Sequence, residues 1–564
     1  MDDCSGVETL LVGIDAACAP VFADLTDAGA RLPTLRGLLE GASGPLESQI
    51  PPWTASAWPS LYTGTNPGKH GVYSFLAFAG YDWDVVNATH VREPALWELL
   101  DARGLSSVVV NVPVTHPPRP FSGALLPGYT APEDPEGHPE GIMSDVREAI
   151  GDYRVYPRHE NASDGGRNEM IDNYRELVAM RGAAFRYLVR ELDPDFGFCQ
   201  FQVTDSVFHE RPGDIGAVRA VYEAVDEQVR EILDACEPEN VILASDHGMG
   251  RYEGDEFRVN EFLREAGYVA TKRGGEKGMP AWGPLRDGGG GEPGPLERGM
   301  ALAARVGVTS QRVGRVLDSL GLTDLVLDVI PQRMVRAGTE QVDFAASRAY
   351  MRERIELGVR INLEGREPAG VVPESEYETV REDLIDRLGS VRTSDGSPVF
   401  ERVGPREEFF DGPAAGEAVD VVVVPNEFDQ FLSATLTGTQ FGPPTEPWNH
   451  KLTGIVAARG EAIDGTDAAA VANESGAAKE SNTADADGSD AGASVDIEQA
   501  HLFDVAPTVL ATLGLPRAER MDGDVLSVVP SVSTEAYRTT DRDERVATDD
   551  RGVENRLSDL GYIE

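Results

Sequence analysis

The run Leu10-Leu11-Val12-Gly13-Ile14 carries no polar side chain, and it is one of several such runs in this chain. A strand with one wet face alternates apolar and polar residues, so an unbroken apolar run needs cover on both faces. The largely apolar runs Val108-Val109-Val110-Asn111-Val112, Phe196 to Val203 and Val241 to Ala244 are read the same way. Between them, helical periodicity spans Pro33–Glu40, Pro94–Ala102, Asn173–Leu192 and Gly216–Ala235. Strands separated by helices of that length predict an α/β fold: a doubly wound, mostly parallel sheet sandwiched by helices. In such sheets ligands gather at the carboxyl ends of the strands.

Metal-ligand side chains fall at those ends. Asp15 closes the first run, Asp205 and His209 follow the third, Asp246 and His247 close the fourth, and His450 precedes Gly454-Ile455-Val456. Asp205-x-x-x-His209 has the spacing that puts two side chains on one helical face. Asp246-His247 needs a backbone leaving its strand, and Gly248 and Gly250 are expected to supply that turn. Three carboxylates and three imidazoles are enough donors for two divalent ions. Taken singly, each residue also suits a helix cap, a surface pair or a polar turn.

Thr54, in Pro51-Pro52-Trp53-Thr54, heads a stretch expected to be helical through Thr63. A threonine hydroxyl attacks poorly unless a base or a metal activates it. The alternative is that Thr54 merely caps the helix.

The chain has 564 residues, 41% of them hydrophobic, which is ordinary for a chain with a buried core. Its charge is not ordinary: 96 acidic against 50 basic residues give −46, and lysine occurs only at 69, 272, 277, 451 and 479. Spread acidity with scarce lysine fits a halophilic surface in a salt-rich cytosol, so activity is expected to need salt. It argues against binding of nucleic-acid backbones. The cysteines at 4, 18, 199 and 236 show no CxxC spacing, and no apolar stretch reaches the roughly 18 residues of a membrane span. No signal peptide is read at the N-terminus, which makes cytoplasmic location the expectation.

A catalytic core is expected over 1–265, an inserted segment over 266–340 with helices near 300–319 and 323–336, and a second part of the core over 341–530. Within that second part, strands are read near Ala349–Leu363 and Ala418–Val424, a helix over Asp504–Leu513, and a disordered acidic insertion over 461–495. A loose charged tail follows, 531–564.

The motifs resemble those of type I phosphodiesterases and nucleotide pyrophosphatases in the alkaline phosphatase superfamily, here in an acidic, haloarchaeal-type form. The likeness runs through Val12 to Asp15, Pro52-Trp53-Thr54, Thr63-Gly64, Pro67 to Gly71, Asn111 to Pro118, Asp205 to His209, Ser245 to Met249, Asn362 to Gly370, Asn449-His450, Asp504 to Leu510 and Met521-Asp522-Gly523. It implies one metal held by Asp205, His209 and His450, another by Asp15, Asp246 and His247, and Thr54 as nucleophile through a phospho-threonine. The implied metal is zinc, with manganese as the alternative, and the implied substrate is a small phosphate ester or nucleotide. A phosphomonoesterase or phosphomutase on the same core is the second reading. A non-catalytic binding protein is the third, against which the complete ligand set argues. Two departures stand out. Ala57 occupies the place where the family commonly carries a phosphate-contacting asparagine, and no Cys-x-Pro-x-Arg pattern marks a sulfatase. His70 is read as structural, and Gly365-Arg366-Glu367-Pro368 as either a structural turn or a pocket element.

Overall fold

The computed structural model describes residues 6–158, 166–273, 340–463, 495–538 and 551–559. Its main sheet is built from β1 (Thr9–Ile14), β2 (Ala42–Glu47), β3 (Ser107–Val110), β4 (Gly123–Leu126), β5 (Phe196–Phe201) and β6 (Asn240–Ala244). Late in the chain come β9 (Thr453–Gly460), β10 (Val495–Asp496) and β11 (Ala500–His501), while β7 (Gly248–Arg251) and β8 (Trp448–Lys451) pair as a separate ribbon. The order across the sheet is β10-β2-β9-β6-β1-β5-β3-β4, with β11 also paired to β2. From β6 to β4 every pairing is parallel, and β9 runs antiparallel to both of its neighbours.

Each central strand feeds two cores. In β1, Leu10, Val12 and Ile14 join one apolar cluster, and Leu11 joins the other. Against the first face lie α2 (Arg167–Leu192) and α4 (Ile215–Cys236); against the second lie α1 (Thr54–Thr63) and α5 (Val505–Thr512). The two-sided burial inferred from the unbroken runs is therefore present. A further helix, α3 (Val203–Glu210), follows β5 directly.

The strands expected near Ala349–Leu363 and Ala418–Val424 do not extend the main sheet. They form a separate four-stranded antiparallel sheet of Ala349–Tyr350, Gly358–Ile361, Val421–Pro425 and Phe400–Pro405, with the helix Tyr377–Gly389 against it. Burial on both faces makes Val421–Val424 indistinguishable in sequence from a parallel core strand. The region expected as one strand from Ala349 to Leu363 breaks at Met351–Leu357.

The helices expected at 300–319 and 323–336 lie outside the described residues, as does nearly all of 461–495. Most of the described tail residues 531–538 are exposed. Tyr537 is buried, and the helix Arg551–Asp559 buries Val553 and Leu557. No described helix is long and apolar enough to cross a membrane. None of the described cysteines forms a disulfide, and all three are buried.

Candidate metal centre

All six candidate ligands converge at the carboxyl ends of β1, β5 and β6. Asp15 is the first residue past β1. β5 stops at Phe201 rather than Val203 because Gln202 already turns helical, which puts Asp205 in the first turn of α3 and His209 in its last. A carboxylate early and an imidazole late both suit the helix dipole. Asp246 and His247 join β6 to β7, and β8 brings His450 opposite Met249. Gly248 has no left-handed backbone, contrary to the expectation of a glycine turn. It is glycine because a Cβ there would stand 2.2 Å from the Thr453 carbonyl oxygen, so the need is close approach.

The ligand atoms form two sets. Asp205 Oδ1, His209 Nε2 and His450 Nε2 lie 3.3, 3.4 and 3.2 Å apart pairwise. In the other set His247 Nε2 stands 3.4 Å from Asp15 Oδ1 and 3.2 Å from Asp246 Oδ2. Thr54 Oγ1 completes it, 3.5 Å from Asp15 Oδ1 and 3.3 Å from His247 Nε2. The His247 and His450 rings stack with centroids 3.8 Å apart, so the sets adjoin, and Asp205, His247 and His450 also form a close triad. Thr54 is the first residue of α1; Trp53 holds the cap position, and the threonine hydroxyl faces the cluster instead of capping.

Neighbours fix which atoms face inward. Asp15 Oδ2 accepts from Trp58 Nε1 at 3.0 Å and Gln200 Nε2 at 2.9 Å, leaving Oδ1 toward Thr54. Trp58 reaches that position because residue 13 is glycine: a Cβ there would stand 2.7 Å from its ring. Asp246 Oδ1 accepts from the Ala16 amide, while the buried Oδ2 has no hydrogen-bond donor. The outward nitrogens of two imidazoles face carbonyls, His247 Nδ1 that of Gly248 at 2.9 Å and His450 Nδ1 that of Pro52 at 3.0 Å. Bonded that way, Nδ1 carries the proton and Nε2 offers its lone pair inward.

Three carboxylates buried together are electrostatically incomplete. Burial, then Asp246 and Asp205, pushes Asp15 well above the carboxylate range; burial and Asp205 do the same to Asp246. Burial would raise Asp205 too, but His209 and His450 hold it well below that range. Burial, followed by His450, drives His247 well down. A divalent cation is what such a donor set lacks, and an oxygen without a donor is where one fits.

Among the remaining candidates, His70 is fully buried, pairs its Nε2 with Ser60 Oγ at 2.8 Å, and is lowered to about 3 by burial, so it is neutral and structural. Arg366 belongs to the second sheet, bound to Asp420, and Gly365 with φ 78° makes the turn there. Trp58 and Gln200 escaped the sequence reading, although Gln200 is the one polar residue within β5.

The chain is an α/β protein whose mostly parallel sheet lies between two helical layers. It belongs to the type I phosphodiesterase / nucleotide pyrophosphatase family, whose model matches residues 9–437, and is thus a phosphoesterase. That match ends before His450. No curated protein matches the chain. Similar solved structures include phosphonoacetate hydrolase from Sinorhizobium meliloti 1021 at 17% identity and TM-score 0.46, covering 80% of this chain and 89% of that one. Murine ectonucleotide pyrophosphatase / phosphodiesterase 5 is 11% identical with TM-score 0.46, covering 93% and 97%. The alkaline phosphatase PafA is 12% identical with TM-score 0.47, covering 90% and 96%.

Proposed function

We propose that the chain hydrolyses phosphodiester or nucleotide pyrophosphate bonds at a two-metal centre with Thr54 as nucleophile. The observation that carries this is the ligand spacing. Corners of a tetrahedron with metal bonds of about 2.0–2.1 Å lie roughly 3.3–3.4 Å apart. The three atoms of the Asp205 set are 3.2–3.4 Å apart, and Thr54 Oγ1 keeps nearly the same spacing in the other. Imidazole and carboxylate donors suit zinc, and manganese is the second choice. When bound, the ions supply positive charge beside the phosphoryl and leaving oxygens.

The residues do the rest. Asp15 and His247 hold the Thr54 oxygen inward; its proton passes to bulk water, the deprotonated oxygen attacks phosphorus, and the leaving oxygen takes a proton back from water. An Oγ1–P bond forms as the opposite P–O bond breaks, and the leaving oxygen departs. Water then cleaves the phospho-threonine and restores the hydroxyl. Thr54 opens α1, and a helix N-terminus favours a phosphate.

Chromogenic bis-ester and mono-ester phosphates, offered with zinc or manganese in high salt, test the reading. Preference for the bis-ester is expected. Faster mono-ester turnover would move the assignment to a phosphomonoesterase, and metal binding without turnover of either would leave a binding protein. The charge of −46 supports a salt-rich cytosolic setting, so activity should fall as salt is withdrawn. Full activity in salt-free buffer would contradict that setting.

A further inference from the structure

Apart from Thr54, the first turn of α1 offers no side chain to a phosphoryl group. Ala55 and Ala57 carry no polar atom, and the Ser56 hydroxyl donates to the Val72 carbonyl at 2.8 Å. A phosphoryl group spreads its charge over three equatorial oxygens, which call for hydrogen-bond donors as well as cations. The loops that leave β3 and β4 hold one unused donor. The hydroxyl of Tyr129, just past β4, is buried and meets no hydrogen-bond partner among the described residues. These loops stand beside the metal centre. β3 pairs with β5, and Asn111, the first residue past β3, donates from Nδ2 to Gln200 Oε1 at 2.9 Å. Gln200 in turn donates to Asp15 Oδ2. The two loops lock together: the Gly128 amide donates to the Val112 carbonyl at 3.1 Å, and the Val114 amide to the Tyr129 carbonyl at 3.0 Å. Val114 and Thr130 have φ of 59° and 77°, a strained setting for β-branched residues. Strain of this kind gathers at functional sites. The Tyr129 ring is fixed edge-on by Phe75 at 5.9 Å and by Tyr156 at 5.8 Å. Burial pushes the phenol well up, and Tyr156 and the carboxylates of Asp205 and Asp15 add to that, so the hydroxyl keeps its proton and lies in the field of the metal centre.

We propose that Tyr129 is a substrate-contacting residue whose hydroxyl donates to a non-bridging oxygen of the phosphoryl group that Thr54 attacks. The proposal rests on the two-metal reading above. A buried donor without an acceptor destabilises the free protein, and an anionic oxygen beside it removes that cost. Burial does not bar the contact, because Thr54 is itself only 1% exposed. The packed ring leaves the hydroxyl little freedom to lose when the substrate arrives.

Calorimetric titration of the zinc-loaded full chain with inorganic phosphate, in high salt, tests this without turnover. Tyr129→Phe keeps the ring and removes only the hydroxyl. It should weaken phosphate roughly 10- to 100-fold, the range for a hydrogen bond to a charged group. Zinc uptake should stay at two equivalents. The thermal midpoint of the metal-free protein should hold or rise, since an unsatisfied donor is gone. Unchanged phosphate affinity in Tyr129→Phe, with zinc still bound, would overturn the proposal. So would a weakening that comes with lost zinc or a lowered midpoint, the mark of a structural hydroxyl. If the wild type takes up no zinc, or binds no phosphate once loaded, the metal-centre reading fails first and this proposal falls with it.

Discussion

Two clusters of buried charge sit in this molecule, and they are balanced in opposite ways. In the second sheet Asp420 is fully buried and accepts five hydrogen bonds: two from Arg366, and one each from Arg406, Tyr377 and the Ile361 amide, at 2.7–2.8 Å. Burial works against its charge, but Arg366 and Arg360 lower it to about 2. At the metal centre Asp15, Asp205 and Asp246 are as deeply buried, yet Asp246 Oδ2 has no donor and two of the three carboxylates are pushed upward. The first cluster is complete within the chain and holds a sheet together. The second is incomplete within the chain, and that incompleteness marks it for binding.

The contrast can be broken by mutation. Thr54→Ala should lower turnover by at least about 10^4-fold while both metal equivalents remain, since it removes the attacking oxygen and leaves three other donors in each set. Measurable wild-type turnover in that variant would eliminate Thr54. Asp420→Asn should cost about 1–3 kcal/mol in denaturant titration, because it leaves the half-buried guanidinium groups of Arg366 and Arg406 without their carboxylate. Near-wild-type stability would show that cluster to be dispensable. Acid titration sharpens the point. The folded pKa of Asp420 lies below its unfolded value of about 3.9, so its contribution is complete above that pH and is lost as pH falls toward about 2. That limb amounts to about 2–3 kcal/mol and should vanish in Asp420→Asn. The smallest effect should have the opposite sign. In chelator at pH 8, Asp246→Asn should raise stability by on the order of 1 kcal/mol, because it relieves like-charge contact. The same substitution should lower stability when zinc is in excess. Destabilisation in chelator would show Asp246 to be satisfied without metal.

The central strands could be read from residues 10–14, 108–112, 198–203 and 241–244 because two-sided burial leaves few polar residues in a strand. The candidate ligands could be picked out because they stand where such strands end. What could not be read depended on distant partners. Val421–Val424 obeys the same burial rule in a different sheet. Trp58 and Gln200 act only through their joint hold on Asp15 Oδ2, a meeting of residues far apart in the chain. Gly248 looked like a turn glycine, but it serves the approach of Thr453, about 200 positions away.

The ribbon of β7 and β8 has a consequence for how the protein is made. His450 is pinned opposite Met249, and the Tyr252 hydroxyl donates to its carbonyl at 2.7 Å across 198 residues of chain. The second sheet is threaded between those two strands. During synthesis Asp15, Asp205, His209, Asp246 and His247 have all emerged well before the residue that completes their cluster. Closing so long a loop is entropically costly until the intervening unit has collapsed and brought its ends together. The cluster is therefore completed late, once that intervening unit has folded.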